Sequence, residues 1–460
     1  MTRTTRWDSA LVLGGGYAGL LAARVLAGHF RRVTVLEQDR RTDDGHRPGV
    51  PQAHHPHALL ARGAQELEKL FPGLRTQLLS HNCPVGDFGA MTRISFPGGW
   101  APRAPAGFDV QLVARTMLEQ ILRDRVAALG PVVLDHCARA GRLLVDHASG
   151  RVSVGVHRRG EGEDREELVD ADLVVDATGR GSRMPQWLSQ AGYRCPPSLV
   201  VDGHVAYSSR RYTLTPVPGR DWSASYQPAL APNAPRGGVL ARIGTDQWLL
   251  ALIGAAGHTP PTDDVGFHDY AANLANPDFA RIIDDGTPLG PVRRTRATAN
   301  RWHRYHRVPN WPGRLLALGD SVCALNPVYG QGMTVAALQS TTLDTLLAGR
   351  RPGQPPDVGP AFQRAAAALV RAPWLLNTSA DRAWDTQDTP LASRLATGYL
   401  NALTARIPHD PALFLRFART MNMLDSPLTL ATPAVLARLA LPSAQPRHSA
   451  RQNPGTTPLP

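Results

Sequence analysis

Residues Leu11 to Gly19 read Leu-Val-Leu-Gly-Gly-Gly-Tyr-Ala-Gly, a short apolar strand that runs straight into a Gly-x-Gly-x-x-Gly turn. No other stretch constrains the fold as much, because this spacing lets a strand, a tight turn and a helix follow one another with almost no side chain between them. Gly14 permits the turn, Gly16 lets backbone N–H groups approach a pyrophosphate, and Gly19 lets the next helix lie close to the strand. That helix directs the positive end of its dipole at the phosphates. Glu37, at the end of the apolar run Arg32–Glu37, is placed to accept from a ribose hydroxyl. With 42 glycines in the chain an isolated match carries little weight, but here strand, helix and acid all stand where dinucleotide binding needs them.

At 460 residues and 43% hydrophobic the chain can bury a large core, and its length suggests two or three structural units. No apolar run approaches the roughly 20 residues that span a bilayer, and the N-terminal stretch is too short and glycine-rich for a signal peptide. The expectation is a cytoplasmic protein. Cys83, Cys137, Cys195 and Cys323 lie far apart without paired spacing, which argues against a disulfide framework or a zinc site. A net charge of +12 raises nucleic-acid binding, but its distribution argues against it. Lys69 is the only lysine, and the arginines are scattered singly or in pairs among acids. The basic surface instead suits acidic partners or substrates held on a carrier protein.

The chain opens as strand, helix, strand over Ala10–Leu13, Tyr17–Ala27 and Arg32–Glu37, and an amphipathic helix follows over Ala58–Leu70. Residues 1–80 form the first part of a cofactor domain. Residues 81–110, with strand-like Gly89–Phe96, make an excursion out of its sheet, and 111–190 return to it through a helix over Val113–Leu129. Val132–Leu134, Arg142–His147, Arg151–Arg158 and Leu168–Asp176 alternate like a small antiparallel layer that feeds another buried strand. Residues 191–290 turn period-two and aromatic-rich over Val200–Tyr207, Trp222–Gln227, Gly238–Ile243 and Trp248–Gly254, an antiparallel sheet of its own, with a helix over Val265–Leu274. Residues 291–350 complete the cofactor domain with a strand over Arg314–Leu318 and a helix over Gly332–Leu347. Residues 351–441 are helical, and 442–460 read as disordered.

Two further stretches repeat the strand-into-small-turn pattern. Asp172-Leu-Val-Val-Asp-Ala-Thr-Gly-Arg-Gly-Ser-Arg183 ends a hydrophobic strand in a turn where Gly179 and Gly181 allow close backbone approach and Ser182 is placed to cap a helix toward Leu188. Leu318-Gly-Asp-Ser-Val-Cys-Ala-Leu-Asn-Pro-Val-Tyr-Gly-Gln-Gly-Met-Thr334 carries an acid at a strand end, suited to ribityl hydroxyls. Its glycine-rich entry into a helix has free N–H groups suited to negative charge on a flavin's pyrimidine edge.

The ordered set resembles the single-component FAD-dependent monooxygenases of the para-hydroxybenzoate hydroxylase fold, over about residues 8 to 350. It looks closest to bacterial polyketide epoxidases related to the monensin and lasalocid epoxidases. The stretches that carry the likeness are Arg47-Pro-Gly-Val-Pro-Gln-Ala-His54 with His57, Ala177-Thr-Gly-Arg-Gly-Ser-Arg183 and Asn326-Pro-Val-Tyr-Gly-Gln-Gly-Met333. The resemblance implies an α/β fold: a Rossmann-like FAD-binding domain with an inserted antiparallel-sheet substrate domain and C-terminal helices. It implies FAD contacts from Gly14, Gly16, Tyr17, Ala18, Gly19, Glu37, Gln38, Arg47, Val50, Arg115, Thr178, Gly179, Gly319, Asp320, Pro327, Gly330, Gly332 and Met333. Pro327, Gly330, Gln331, Gly332 and Met333 would flank the isoalloxazine. It further implies NAD(P)H or a flavin reductase as electron donor, dioxygen as co-substrate, and oxygen transfer through a flavin C4a-hydroperoxide to an apolar polyketide-type alkene. Two positions depart from the pattern: Thr178 stands where the wider hydroxylase family has Asp, and Gln331 where the close epoxidases tend to have His.

No Ser/His/Asp or paired-carboxylate constellation stands out, which suits oxygen transfer to an alkene, a step that needs no general base. His54, His55 and His57 are read as packing and hydrogen-bonding groups beside the cofactor rather than metal ligands. Tyr207, Tyr226 and Trp248 are candidates for an apolar substrate pocket, and Arg293, Arg294 and Arg296 for a solvated strand face. No Trp-x-Trp-x-Ile-Pro segment appears, and Lys69 is read as solvent-facing, so a halogenase is disfavoured. Thr178 motivates a rival from another class, a cyclase that keeps FAD as a structural part and closes a ring, as in a [4+2] addition, without redox change.

Overall fold

The computed structural model describes residues 7–39, 58–158, 166–215, 220–351, 353–385 and 391–440. Strand β1 (Trp7–Leu13) leads into helix α1 (Tyr17–Leu26) and strand β2 (Phe30–Glu37). Helix α2 (Arg115–Ala127) precedes strand β3 (Val132–His136), and β4 (Leu173–Asp176) and β5 (Leu315–Ala317) complete a five-stranded parallel sheet in the order β5-β4-β1-β2-β3. Two long helices follow, α3 (Gly332–Ala348) and α4 (Gly359–Arg382).

These strands are apolar on both sides, as a sheet covered on both faces requires, and period two sorts their side chains between two cores. Val12, Val33, Val35, Val175 and Leu316 pack with α1, α2 and α3. Leu11, Leu13, Leu36, Val174 and Leu315 face the opposite way, toward Trp187, Trp302 and Val154 of the three-stranded antiparallel layer Ala138–Val145, Val152–Arg158 and Glu166–Ala171.

A second, seven-stranded sheet runs in the order Thr287–Thr295, Ala206–Thr213, Gln247–Gly254, Arg236–Arg242, Ala224–Gln227, Thr92–Phe96 and Gly99–Trp100. Its pairings are antiparallel except where Ala224–Gln227 meets Thr92–Phe96. One face lies on helices Asp264–Ala272 and Asp278–Asp285, whose Phe267, Tyr270, Phe279 and Ile282 fill a core with Tyr212, Leu250 and Leu252.

Several local expectations change. Val132–His136 joins the parallel sheet instead of the small antiparallel layer, because the open edge of β2 pairs with it from Val33 to Glu37. Gly89–Phe96 divides into a short helix Phe88–Met91, started by the Asp87 carboxylate accepting from Gly89 and Ala90 N–H, and a strand Thr92–Phe96. The run Val200–Tyr207 splits between two sheets, and residues 291–295, expected in the cofactor domain, continue the strand Thr287–Thr295 of the seven-stranded sheet. The tail 442–460 lies outside the described residues. No helix among the described residues is long and apolar enough to cross a membrane.

His303 stacks on Tyr305, 5.4 Å between ring centroids, and its Nδ1 meets Ser198 Oγ at 2.6 Å. Burial, helped by the Arg301 charge, pushes its imidazole down to about 4. A histidine depressed in the folded state contributes its stability in full above the ordinary value of 6.5 and loses it as pH falls toward 4, a loss on the order of 3 kcal/mol. Urea midpoints of the unchanged protein should therefore fall relative to His303→Asn between those two pH values and run parallel to it above them. A pH-independent difference contradicts this account.

Candidate functional site

Four strands of the parallel sheet end in one row. Leu13 is level with Leu36 on one side and Asp176 on the other, and Asp176 is level with Ala317. The three turns that follow therefore emerge side by side at the carboxyl end of the sheet, where an open α/β sheet offers its crevice. Gly14 has φ of +97°, and a Cβ there would lie 2.7 Å from Ala177 O, so the first turn sits directly against the second. Gly319 has φ of +68°, and a Cβ there would lie 2.8 Å from Ala18 Cβ, so the third turn packs on the start of α1. The glycine at position 19 clears its own turn before it clears the strand: an added Cβ would fall 1.8 Å from Gly14 O, against 3.4 Å from Val12 Cγ1.

Acids stand at each turn. Glu37, 3% exposed, accepts from Gly15 N–H at 3.1 Å and Asp39 N–H at 3.0 Å. Gln38 beside it is exposed. Asp176, wholly buried, accepts from Thr178 N–H at 2.9 Å, Thr178 Oγ1 at 2.6 Å, Ser182 Oγ and Ser321 Oγ. Burial pushes its carboxyl up against the pull of those donors. Ser182 does cap, its Oγ accepting from Met184 N–H, although Arg183 is the residue that precedes the helix Met184–Gln190.

Asp320 is the acid the cleft leaves reachable. Its side chain is 35% exposed there, although protein surrounds it, and burial pushes its carboxyl up while Arg180, Arg115 and Arg301 pull it down. Arg180 donates to Ala299 O at 2.8 Å and Leu325 O at 2.6 Å and stands 3.9 Å from Asp320 Oδ2, its Nε buried without a hydrogen-bond partner among the described residues. Arg115 opens α2, donates to Glu119 and lies 5.4 Å over the Tyr17 ring. The Tyr17 hydroxyl is also buried without a partner among the described residues.

The loop Asn326–Gln331 and the start of α3 close the far side. A Cβ at Gly332 would lie 3.7 Å from Asp320 Oδ1, which ties the first turn of α3 to the third acid. Asn326 Oδ1 accepts from Val328 N–H and starts a short turn over Pro327–Tyr329, and Gly330 leaves it at φ of +69°. Behind the loop runs α4. Asp381 accepts from Tyr329 Oη at 2.8 Å, Asn326 Nδ2 at 3.1 Å and Asn300 Nδ2 at 2.6 Å, and one turn earlier Asn377 Nδ2 donates to Gln331 Oε1 at 2.8 Å. Burial pushes the Asp381 carboxyl up against those donors.

Gly14, Gly16, Tyr17, Ala18, Gly19, Glu37, Arg115, Thr178, Gly179, Gly319, Asp320, Pro327, Gly330, Gln331, Gly332 and Met333 thus gather on one cleft. Arg47, Val50, His54, His55 and His57 lie outside the described residues. Tyr207 and Tyr226 share an apolar cluster with Val328 of the loop and Trp384, whereas Trp248 lies in the core on the other face of the sheet. The cause is parity: Tyr207 pairs with Ile253 and Tyr212 with Trp248, odd and even positions that point to opposite faces. Arg293, Arg294 and Arg296 are exposed, and Lys69 pairs with Glu66 at the surface. Sequence reasoning passed over Asp176, Arg180, Asn377 and Asp381. Only Asp176 left a local sign, an acid closing an otherwise apolar strand.

No group of His, Cys, Asp and Glu among the described residues could hold a metal ion. The cleft fits FAD instead. Turns that tolerate no Cβ make room for a pyrophosphate, Glu37 and Asp320 could take ribose and ribityl hydroxyls, and the orphaned Arg180 Nε supplies a buried donor beside Asp320.

Comparison with known proteins agrees. The FAD binding domain family matches residues 8–357. Protein Rv3254 of Mycobacterium tuberculosis is 31% identical, covering 94% of this chain and 93% of that one. Kynurenine 3-monooxygenase of Salinispora tropica is 26% identical over 74% and 73% of the two chains. Among solved structures, the Diels-Alderase PyrE3 of the pyrroindomycin biosynthetic pathway superposes with a TM-score of 0.58 at 21% identity, covering 91% of this chain and 81% of that one, and shares the fold.

Removing the Asp320 carboxylate should cost about 2 kcal/mol of FAD binding, the worth of a hydrogen bond to a charged group, or roughly thirtyfold in Kd. Fluorescence titration of apoprotein with FAD checks Asp320→Ala, and an unchanged Kd would place the cofactor elsewhere.

Proposed function

This chain belongs to the FAD binding domain family, and from that premise we propose that it is an FAD-dependent monooxygenase that epoxidises an alkene of an apolar, polyketide-type small molecule. The observation that carries this reading is the wall opposite the Val328 loop. Val205 and, from the seven-stranded sheet, Tyr207, Tyr226, Val239 and Ile253 meet Val328 and Trp384 there in an apolar cluster, with the Arg180 charge felt at Tyr207. Burial raises the Tyr207 phenol and lifts that of Tyr226 to about 12, so both stay neutral. Such a wall rewards an apolar substrate. The likeness of Ala177–Arg183 and Asn326–Met333 to the polyketide epoxidases supports the same substrate class.

Bound FAD supplies the redox chemistry, accepting electrons from NAD(P)H or a separate flavin reductase and activating dioxygen. The balance is alkene, dioxygen, two electrons and two protons to epoxide and water. The chain's own residues bind and orient. Glu37, Arg115 and Asp320 would hold the cofactor, and the N–H groups at the start of α3 would face negative charge at the pyrimidine edge. The sheet wall would exclude water and hold the π-bond in place. The substrate arrives free or on an acidic carrier protein that the basic surface would attract.

Thr178 favours a second reading, the non-redox cyclase. The acid of this turn, Asp176, is turned into the core and saturated by hydroxyl donors, so the turn itself presents none to the cleft. Turnover of candidate polyenes with reduced, FAD-loaded protein under labelled dioxygen separates the two. A single labelled oxygen atom in the product is the expected result. A product isomeric with substrate, formed under nitrogen with oxidised FAD, would replace the epoxidase by the cyclase.

A further inference from the structure

Gln331 is buried at 2% exposure and stands immediately before Gly332, the first residue of α3. Its amide has two ends of opposite polarity, and which end faces the cofactor cleft decides whether position 331 donates or accepts. Asn377 settles this through a fixed reference. Asn377 Nδ2 donates at 2.7 Å to the backbone carbonyl of Pro373, which accepts only, so the NH2 end of Asn377 must lie on that side. The same nitrogen donates at 2.8 Å to Gln331, which must therefore present Oε1 to it. With Oε1 engaged by Asn377, whose own Oδ1 is buried without a partner among the described residues, the Gln331 NH2 group is the end left for another partner. One turn on, Asp381 holds Tyr329 and Asn326, so the two ends of the loop are gripped by the same face of α4.

We propose that Asn377 is a positioning residue: by holding Gln331 through Oε1, it turns the Gln331 NH2 group into a hydrogen-bond donor for the flavin and stabilises the reduced, negatively charged form over the oxidised one. This rests on FAD lying against the Pro327–Met333 loop, as the proposed function has it. A donor held in place acts on developing charge without reorganisation, whereas a free amide turns toward either polarity. Asn377 itself touches neither cofactor nor substrate. Its effect passes entirely through Gln331.

The measurement is the midpoint potential of bound FAD in the intact protein, by spectroscopic titration against a reference dye. Asn377→Leu removes the anchor, and Gln331→Leu removes the donor. Each should weaken the preference for the reduced form about tenfold, which for a two-electron couple lowers the potential by about 30 mV. The double variant should fall no further than Gln331→Leu alone, since both act through one amide. Asn377→Ser, which keeps a small donor, should recover part of the shift and covers the case in which leucine is not accommodated. Potentials that stay unmoved in Asn377→Leu and Asn377→Ser, or shifts that add in the double variant, overturn the proposal while leaving the proposed function standing. A protein that takes up no FAD at all overturns both.

Discussion

The cofactor end of this molecule is organised around a carboxylate that never meets water. Asp176 closes β4 in the middle of the parallel sheet and gathers Thr178 from its own turn, Ser182 from just before the helix beyond it and Ser321 from the turn after β5. An unpaired charge at that depth costs several kcal/mol, so the arrangement persists only because every donor arrives together. Ser321 follows Asp320 directly and accepts from Gly179 N–H at 2.8 Å. The register between the second and third turns, and with it the reach of Asp320 into the cleft, is thereby set from below.

The opposite wall is held from behind by the C-terminal region. Asp381 and Asn377 of α4 between them take Asn300, Asn326, Tyr329 and Gln331. Three donors converge on Asp381, so its removal would leave several buried polar groups unmatched, which is why such networks specify one arrangement sharply. The glycine-rich turns need little side-chain support because their backbones are braced against one another. The loop Asn326–Gln331 is braced by Asn300, whose Oδ1 accepts from Asn326 N–H at 2.8 Å, and from behind by α4.

Local readings held where one residue type is required by backbone geometry or by a repeating pattern. Gly14 and Gly319 occupy positive φ where an added Cβ would meet neighbouring backbone or Cβ atoms, and Val33, Val35 and Leu36, like Leu315–Leu318, are apolar because helices or a second sheet cover both faces. Readings failed where an apolar run had two partners to choose between. The Val132 strand alternates no differently from its antiparallel neighbours, and only the open edge beside β2 claims it. Tyr207 and Trp248 are both aromatic residues on paired strands, and their opposite faces follow from register, which pattern alone does not disclose.

From its amino acids alone, this chain was committed to a parallel sheet with three small-residue turns at its carboxyl end, because glycine spacing and apolar periodicity act within a few residues of themselves. Which side chains stand behind those turns was decided only by the assembled fold. Asp381 and Asn377 sit in a helix with nothing nearby to mark them, and they gain their roles because α4 crosses behind a loop about 50 residues earlier in the chain. Contacts at that separation depend on how whole elements pack, and packing is a property of the core rather than of any local stretch of sequence.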